Sequence, residues 1–219
     1  MTSRAHREEV RRLVQLAVNS PQRVSSLPET DIDLMIRLLR SQRLHGRLAA
    51  DLRRLQCLNS MPIAARDQLE SALVMAKARS RVARWELDRL AAALSNSGLS
   101  KIIAVKGAAY ILLGLPNAEG RIFADVDLLI AEDQLDQLEQ HLNASGWITR
   151  KLNPYDENYY RRWTHELPPL MHAEREVEVD LHHNILPLTA RIKPPAEKIV
   201  ADAVPLENSL YYTPRDTDI

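Results

Sequence analysis

Two aspartates, Asp125 and Asp127, stand two positions apart in the mostly apolar run 121–130. The run has the composition of a buried strand, in which residues i and i+2 point to the same side. The two carboxylates would therefore project together from an apolar support, where close like charges repel. A divalent cation would offset that repulsion, and Mg²⁺ prefers carboxylate and phosphate oxygens. The pair predicts a metal site that acts on a phosphate compound.

A second feature with chemical potential precedes this strand. The short β-rich run 102–105 ends at Lys106-Gly107, and a helix is predicted over Ala108–Leu113. A glycine at a helix start lets the backbone approach a phosphate closely, and the free amides there favour an anion.

A third carboxylate follows on a later strand. Val177, Val179 and Leu181 alternate with Glu178, Asp180 and His182. This period of two predicts a strand with the three polar side chains on one face. Three strand-borne carboxylates can hold two divalent ions, which clamp the attacking and leaving oxygens of phosphoryl transfer.

The elements that must position these residues fall into two groups. Residues 5–95 have helical periodicity, with Thr30 as a candidate N-cap and a long helix from about Pro62 to about Ser95. Strands and helices then mix. A helix is predicted over 132–145 and a strand at Trp147, and strands at 166–173 and 176–182 form a predicted hairpin.

This order predicts an α+β fold, a helical N-terminal region followed by a small mixed β-sheet core with flanking helices. The predicted divisions are a helical region over 1–97, a catalytic core over 98–205 and a C-terminal helical region that begins within 206–219. Thr213 as cap and Pro214 at the first position predict that last helix, which suggests a chain continuing beyond Ile219.

Composition excludes several classes. Cys57 is the only cysteine, so no intrachain disulfide can form. The N-terminus lacks the apolar core of a signal peptide, and no apolar stretch is long enough to span a membrane. A cytoplasmic protein is the resulting prediction. Lys and Arg dominate residues 1–90 and Asp and Glu dominate the rest, a pattern that favours solvated helix faces over a nucleic-acid surface.

The histidines do not predict a zinc site. His182 and His183 are adjacent on a predicted strand, so their side chains face opposite sides and cannot readily chelate one ion. His165 and His172 are scattered along the sequence.

Taken together, the motifs resemble the bacterial nucleotidyltransferase-like family of the DNA polymerase β superfamily. The matching segments, in order, are Val105-Lys106-Gly107, Arg121, Asp125-Val126-Asp127-Leu128-Leu129-Ile130 and Val179-Asp180-Leu181-His182. The helical N-terminal half and Gly146-Trp147 also fit that layout. The resemblance covers the chain from about residue 30 to its end.

The resemblance implies transfer of a nucleoside monophosphate from an NTP to an acceptor, with release of pyrophosphate. Asp125 and Asp127 would bind Mg²⁺, with Mn²⁺ as the alternative ion. Asp180 would complete the metal site and activate the acceptor nucleophile. Lys106, Gly107, Ala108 and Arg121 would bind the nucleotide. Ala108 departs from the family, which commonly has Ser or Gly there, and His183 stands where an aromatic residue is common.

The sequence leaves the acceptor open among a protein, an RNA and a small molecule. One alternative is a catalytically inactive nucleotide-binding or protein-interaction module on the same fold. Another is a toxin-like nucleotidyltransferase that modifies RNA.

Overall fold

The computed structural model of the protein describes residues 4–149, 155, 159–160 and 163–215. The chain forms two compact units. The first comprises residues 1–80 with Leu115–Ile122, and the second comprises Arg81–Gly114 with residues 123–219. Helices fill the first unit and a mixed sheet organises the second, so the predicted α+β class is confirmed. The predicted domain division between residues 97 and 98 stays a prediction.

The first unit is a helical cluster around one apolar core. Its helices are α1 (Arg4–Asn19), α2 (Glu29–Ser41), α3 (His45–Arg54) and the first part of α4 (Ile63–Leu94). Helix α2 starts directly after Pro28, so the N-cap predicted at Thr30 was wrong by two positions. The helices bury their apolar stripes against one another, with Leu13, Met35, Leu52 and Leu69 at the centre.

The second unit is organised by a sheet of seven described strands. They are β1 (Ile102–Ala104), β2 (Asp125–Leu129), β3 (Trp147–Thr149), β4 (Leu170–His172), β5 (Glu178–His182), β6 (Val204–Pro205) and β7 (Tyr211–Thr213). Their spatial order is β3-β4-β5-β2-β1-β7-β6. The β2/β5 and β1/β7 pairs are parallel, and the other pairs are antiparallel. The predicted mixed sheet is thus confirmed.

Helices α5 (Lys106–Leu112), α6 (Leu135–Ala144) and α7 (Ala196–Asp202) accompany the sheet. The predicted helix over 132–145 is present, although its first turn is a 3₁₀ helix over Glu132–Gln134. None of the described helices combines the length and the apolar content that crossing a membrane requires.

The C-terminal part corrects one prediction. Tyr211–Thr213 is a strand, and Pro214 and Arg215 are not helical, so the helix predicted with Thr213 as its cap does not start at Pro214. Aromatic and β-branched side chains fit a pleated sheet, and here β7 pairs with β1. The Tyr211 hydroxyl also donates a 2.6 Å hydrogen bond to the carbonyl of Leu87, which attaches the strand to α4. Residues 216–219 lie outside the described residues.

Candidate functional site

The pairing of β2 with β5 brings the predicted carboxylates together. These strands run parallel, and their register sets Asp127 opposite Asp180 and Asp125 opposite Glu178. Because side chains alternate along a strand, Asp125, Asp127 and Asp180 share one face of the sheet. The alternation predicted for β5 is also observed, since Val179 and Leu181 are fully buried on the other face.

Asp127 is the most enclosed carboxylate of the three, with 3 % of its surface exposed. Its Oδ1 accepts a 2.7 Å hydrogen bond from Lys106 Nζ and lies 2.9 Å from Nε2 of His182. Burial disfavours the charged form of Asp127, but the bonds from His182 and Lys106 outweigh it and lower the pKa of the carboxyl below its ordinary value. Asp127 is therefore a stable anion.

Asp180 has the opposite electrostatic environment. Its Oδ1 is buried and has no hydrogen-bond partner among the described residues. Burial, followed by the charges of Asp127, Glu166 and Asp125, raises the pKa of Asp180 to about 7. A buried, unpartnered carboxylate oxygen beside other carboxylates is a set of hard oxygen donors that suits a divalent cation. The three aspartates thus fit the ion that the sequence predicts.

Val105 forms the turn between β1 and α5, and Lys106 and Gly107 are the first two residues of that helix. The Val105 amide donates a 3.1 Å hydrogen bond to the Asp127 carbonyl, which holds this turn against β2. Lys106 has a φ of 49°, in the left-handed region that a non-glycine residue rarely adopts. Such conformations cost about 1–3 kcal/mol and cluster at functional sites. The left-handed backbone of Lys106 thus coincides with the position whose ammonium group contacts Asp127.

The backbone amides of two predicted nucleotide-binding residues, Ala108 and Arg121, already donate hydrogen bonds within the chain. The Ala108 amide donates to the Val105 carbonyl at 3.1 Å, so it would have to leave that bond to reach a phosphate. Arg121 belongs to the Leu115–Ile122 segment of the first unit, where its amide donates to the Ala118 carbonyl. The predicted role of each residue stays a prediction.

Two residues beside the site, His165 and Glu166, were not among the predicted site residues, and both lie close to His182. Nδ1 of His182 lies 3.3 Å from Oε2 of Glu166, and Nε2 of His165 lies 3.9 Å from the same oxygen. The rings of His165 and His182 have centroids 5.2 Å apart. The prediction that His165 stands apart from the other histidines was therefore wrong, because the fold brings it next to His182. An antiparallel bridge between Glu166 and His182 causes the approach, and the predicted pairing of these two segments was its only signal in the sequence.

A small cavity adjoins the turn. Its volume is about 150 Å³, and its lining includes Lys106, Tyr110, His182 and Asn184. Ligand pockets usually measure about 300–1,000 Å³, so a nucleoside triphosphate needs more room than this cavity provides.

Comparison with protein-family models identifies a nucleotidyltransferase family. A family model described as "Uncharacterised nucleotidyltransferase" matches residues 28–219, which is most of the chain. No curated protein matches the chain.

Proposed function

This chain belongs to the uncharacterised nucleotidyltransferase family, and on that basis we propose that it is an Mg²⁺-dependent enzyme that transfers a nucleoside monophosphate from an NTP to an acceptor. The observation that carries the proposal is the register of Asp127 with Asp180, with Asp125 on the same face. Few structural needs explain three carboxylates on one side of two central strands. Catalysis at a phosphorus centre explains them directly.

Asp125, Asp127 and Asp180 would hold the divalent ions. When bound, the ions supply Lewis-acid stabilisation of the attacking and leaving oxygens. The unpartnered Oδ1 of Asp180 and the raised pKa of that carboxyl support this assignment, because a bound cation would offset both the burial and the neighbouring negative charges that raise it.

The reaction forms a bond between an acceptor oxygen and the α-phosphorus of the NTP, and it breaks the bond between that phosphorus and the α–β bridging oxygen. Pyrophosphate leaves. Asp180, whose buried Oδ1 has no hydrogen-bond partner among the described residues, would accept the proton of the acceptor hydroxyl as a general base.

Lys106 would neutralise the charge of the phosphates. It would exchange its bond to Asp127 for a phosphate oxygen, with Gly107 allowing the close approach of the backbone. Arg121 and Ala108 complete the proposed nucleotide-binding set. The NTP is the proposed substrate, Mn²⁺ is the proposed substitute for Mg²⁺, and the cytoplasm is the proposed location.

One observation favours a second candidate, a nucleotide-binding or interaction module without transfer activity. The ammonium group of Lys106 already sits on the carboxylate that would bind metal. Ala108 also lacks the hydroxyl that the family's serine would offer a phosphate. In such a module Lys106 would stay on Asp127 when nucleotide is added.

The test is transfer of label from α-labelled NTPs with Mg²⁺ or Mn²⁺, using protein, RNA and small-molecule acceptor pools in separate reactions. Asp127→Asn should abolish transfer, whereas Asp133→Asn, a change at an exposed residue of the 3₁₀ turn, should not. Nucleotide binding without transfer in every pool supports the inactive module. Unchanged transfer by Asp127→Asn would refute the proposed mechanism.

A further inference from the structure

Three side chains next to the aspartates form a cluster of a different chemical type. His165, Glu166 and His182 each offer one ligand atom, and these atoms all lie within 4.8 Å of one another. The measured separations from Glu166 Oε2 are 3.3 Å to His182 Nδ1 and 3.9 Å to His165 Nε2. Four ligands at about 2.0–2.1 Å from a tetrahedral zinc ion stand about 3.3 Å apart, so small side-chain movements would complete the arrangement.

Nδ1 of His182 is buried and lacks a hydrogen-bond partner among the described residues, so it is available as a metal ligand. Only 2 % of His182 is exposed, and its buried Nδ1 makes no hydrogen bond within the described part of the chain. Its other nitrogen, Nε2, lies 2.9 Å from Asp127 Oδ1. Histidines that bind metal through one nitrogen almost always donate the other N–H to a carboxylate or carbonyl. His182 has that carboxylate in place and that nitrogen available.

The donor types select the ion. Two imidazoles and one carboxylate suit zinc and neighbouring transition metals, whereas Mg²⁺ and Ca²⁺ prefer all-oxygen sites. His165 and Glu166 are partly exposed, so an ion could reach the cluster from solvent and keep a water as its fourth ligand.

We propose that His165, Glu166 and His182 form a zinc site that is distinct from the three-aspartate site and that nucleotidyl transfer does not require as a reaction centre. Zinc on Nδ1 of His182 places the remaining proton on Nε2, which fixes the hydrogen bond to Asp127 and so orients that carboxylate. This zinc site is independent of the proposed function, because zinc could bind whether or not the chain transfers nucleotides.

The binding test uses the full chain after removal of metal with a chelator. Zn²⁺ titrated in the presence of a competing chelator should bind once per chain, and excess Mg²⁺ should not displace it. Co²⁺, used as a probe, should give the intense visible absorption of a four-coordinate site. Zinc binding no tighter than Mg²⁺ binding would overturn the proposal.

Variants locate the site. His165→Ala and Glu166→Gln should each weaken Zn²⁺ binding at least about tenfold. His141→Ala, at a partly exposed histidine on α6, should leave it unchanged. If His165→Ala binds Zn²⁺ as tightly as the natural chain, the cluster is only a hydrogen-bonded group and the proposal fails. Should either variant not fold by circular dichroism, the other variant and the Co²⁺ spectrum of the natural chain decide.

Discussion

Lys106 donates a 2.7 Å hydrogen bond to Oδ1 of Asp127, so the chain's own cation sits on the carboxylate that would bind metal. The two residues belong to adjoining elements, the start of α5 and the strand β2. Although burial raises the pKa of Asp127, the hydrogen bonds from His182 and Lys106 lower it below its ordinary value, so the carboxyl is ionised without any metal. The Lys106 ammonium group would also compete with a metal for the same oxygen. The proposed binding of metal and the proposed binding of nucleotide would therefore be coupled through one side chain.

This coupling predicts opposite effects of Lys106→Met on the two ligands. Removal of the ammonium group should tighten Mn²⁺ binding in the absence of nucleotide, because the competitor for Asp127 Oδ1 is gone. The same change should weaken NTP binding by about tenfold, or roughly 1.4 kcal/mol, because a charged hydrogen bond to phosphate is lost. Calorimetric titration of each ligand measures both effects.

Lys77→Met, at an exposed position of α4, is the matched control and should change neither affinity. If Lys106→Met weakens Mn²⁺ binding instead, Lys106 supports the metal site rather than competing with it.

Asp180 predicts a pH dependence of stability in the metal-free protein. Its pKa is raised from 3.8 to about 7 in the folded state, so the folded chain binds this proton more tightly than the unfolded chain. Stability from this group should therefore fall as pH rises from about 4 to about 7 and stay low above that. Asp180→Asn removes the charge, and it should raise the melting temperature at pH 8 but hardly at pH 4.

Thermal unfolding in the presence of a chelator measures this, and each kcal/mol relieved corresponds to about 2–4 °C for a chain of this size. Mg²⁺ should raise the melting temperature of the natural chain more than that of Asp180→Asn. Equal melting temperatures of the two proteins at pH 8 without metal would show that burial and the neighbouring charges do not destabilise the ionised form of Asp180.

The sequence predicts those parts of the candidate site that depend on patterns within a single strand. The alternation at 177–182 places Asp180 and His182 on one face, and the i, i+2 spacing does the same for Asp125 and Asp127. What aligns the two strands is their parallel register, which depends on contacts across the whole sheet. The same holds for the approach of His165 to His182. No local pattern predicted the strand Tyr211–Thr213 either, in which Tyr211 and Tyr212 pair with β1 and Thr213 pairs with β6.

Glu86 and Arg175 form a buried ion pair that no local sequence pattern indicates. Loss of one partner should greatly reduce the stability of the fold. Glu86 on α4 is fully buried, and it accepts 2.7 Å hydrogen bonds from Arg175 Nε and from Trp147 Nε1. The Arg175 guanidinium also stacks 4.6 Å from the Trp147 ring. Arg175→Met should cost about 3–5 kcal/mol, because it leaves the Glu86 charge buried with only one donor.

Chemical denaturation measures this cost. Arg89→Met is the control, since Arg89 lies over the exposed ring of Trp85 and should contribute well below 1 kcal/mol. A loss for Arg175→Met as small as that for Arg89→Met would mean that the pocket around Glu86 admits water.

The first unit contains a backbone contact that only glycines permit, and Gly120→Ala should break it. A Cβ at Gly120 would collide with the carbonyl of Gly46, and a Cβ at Gly46 would collide with the carbonyl of Gly120. Gly120 also has a φ of 74°. We expect about 1–2 kcal/mol from the left-handed backbone and about 1–3 kcal/mol from the collision. Gly114→Ala isolates the first contribution, because Gly114 has a φ of 62° and open space at its Cβ position. Denaturant unfolding should therefore show a clearly larger loss for Gly120→Ala than for Gly114→Ala, and equal losses would mean that the Gly46–Gly120 contact relaxes without cost.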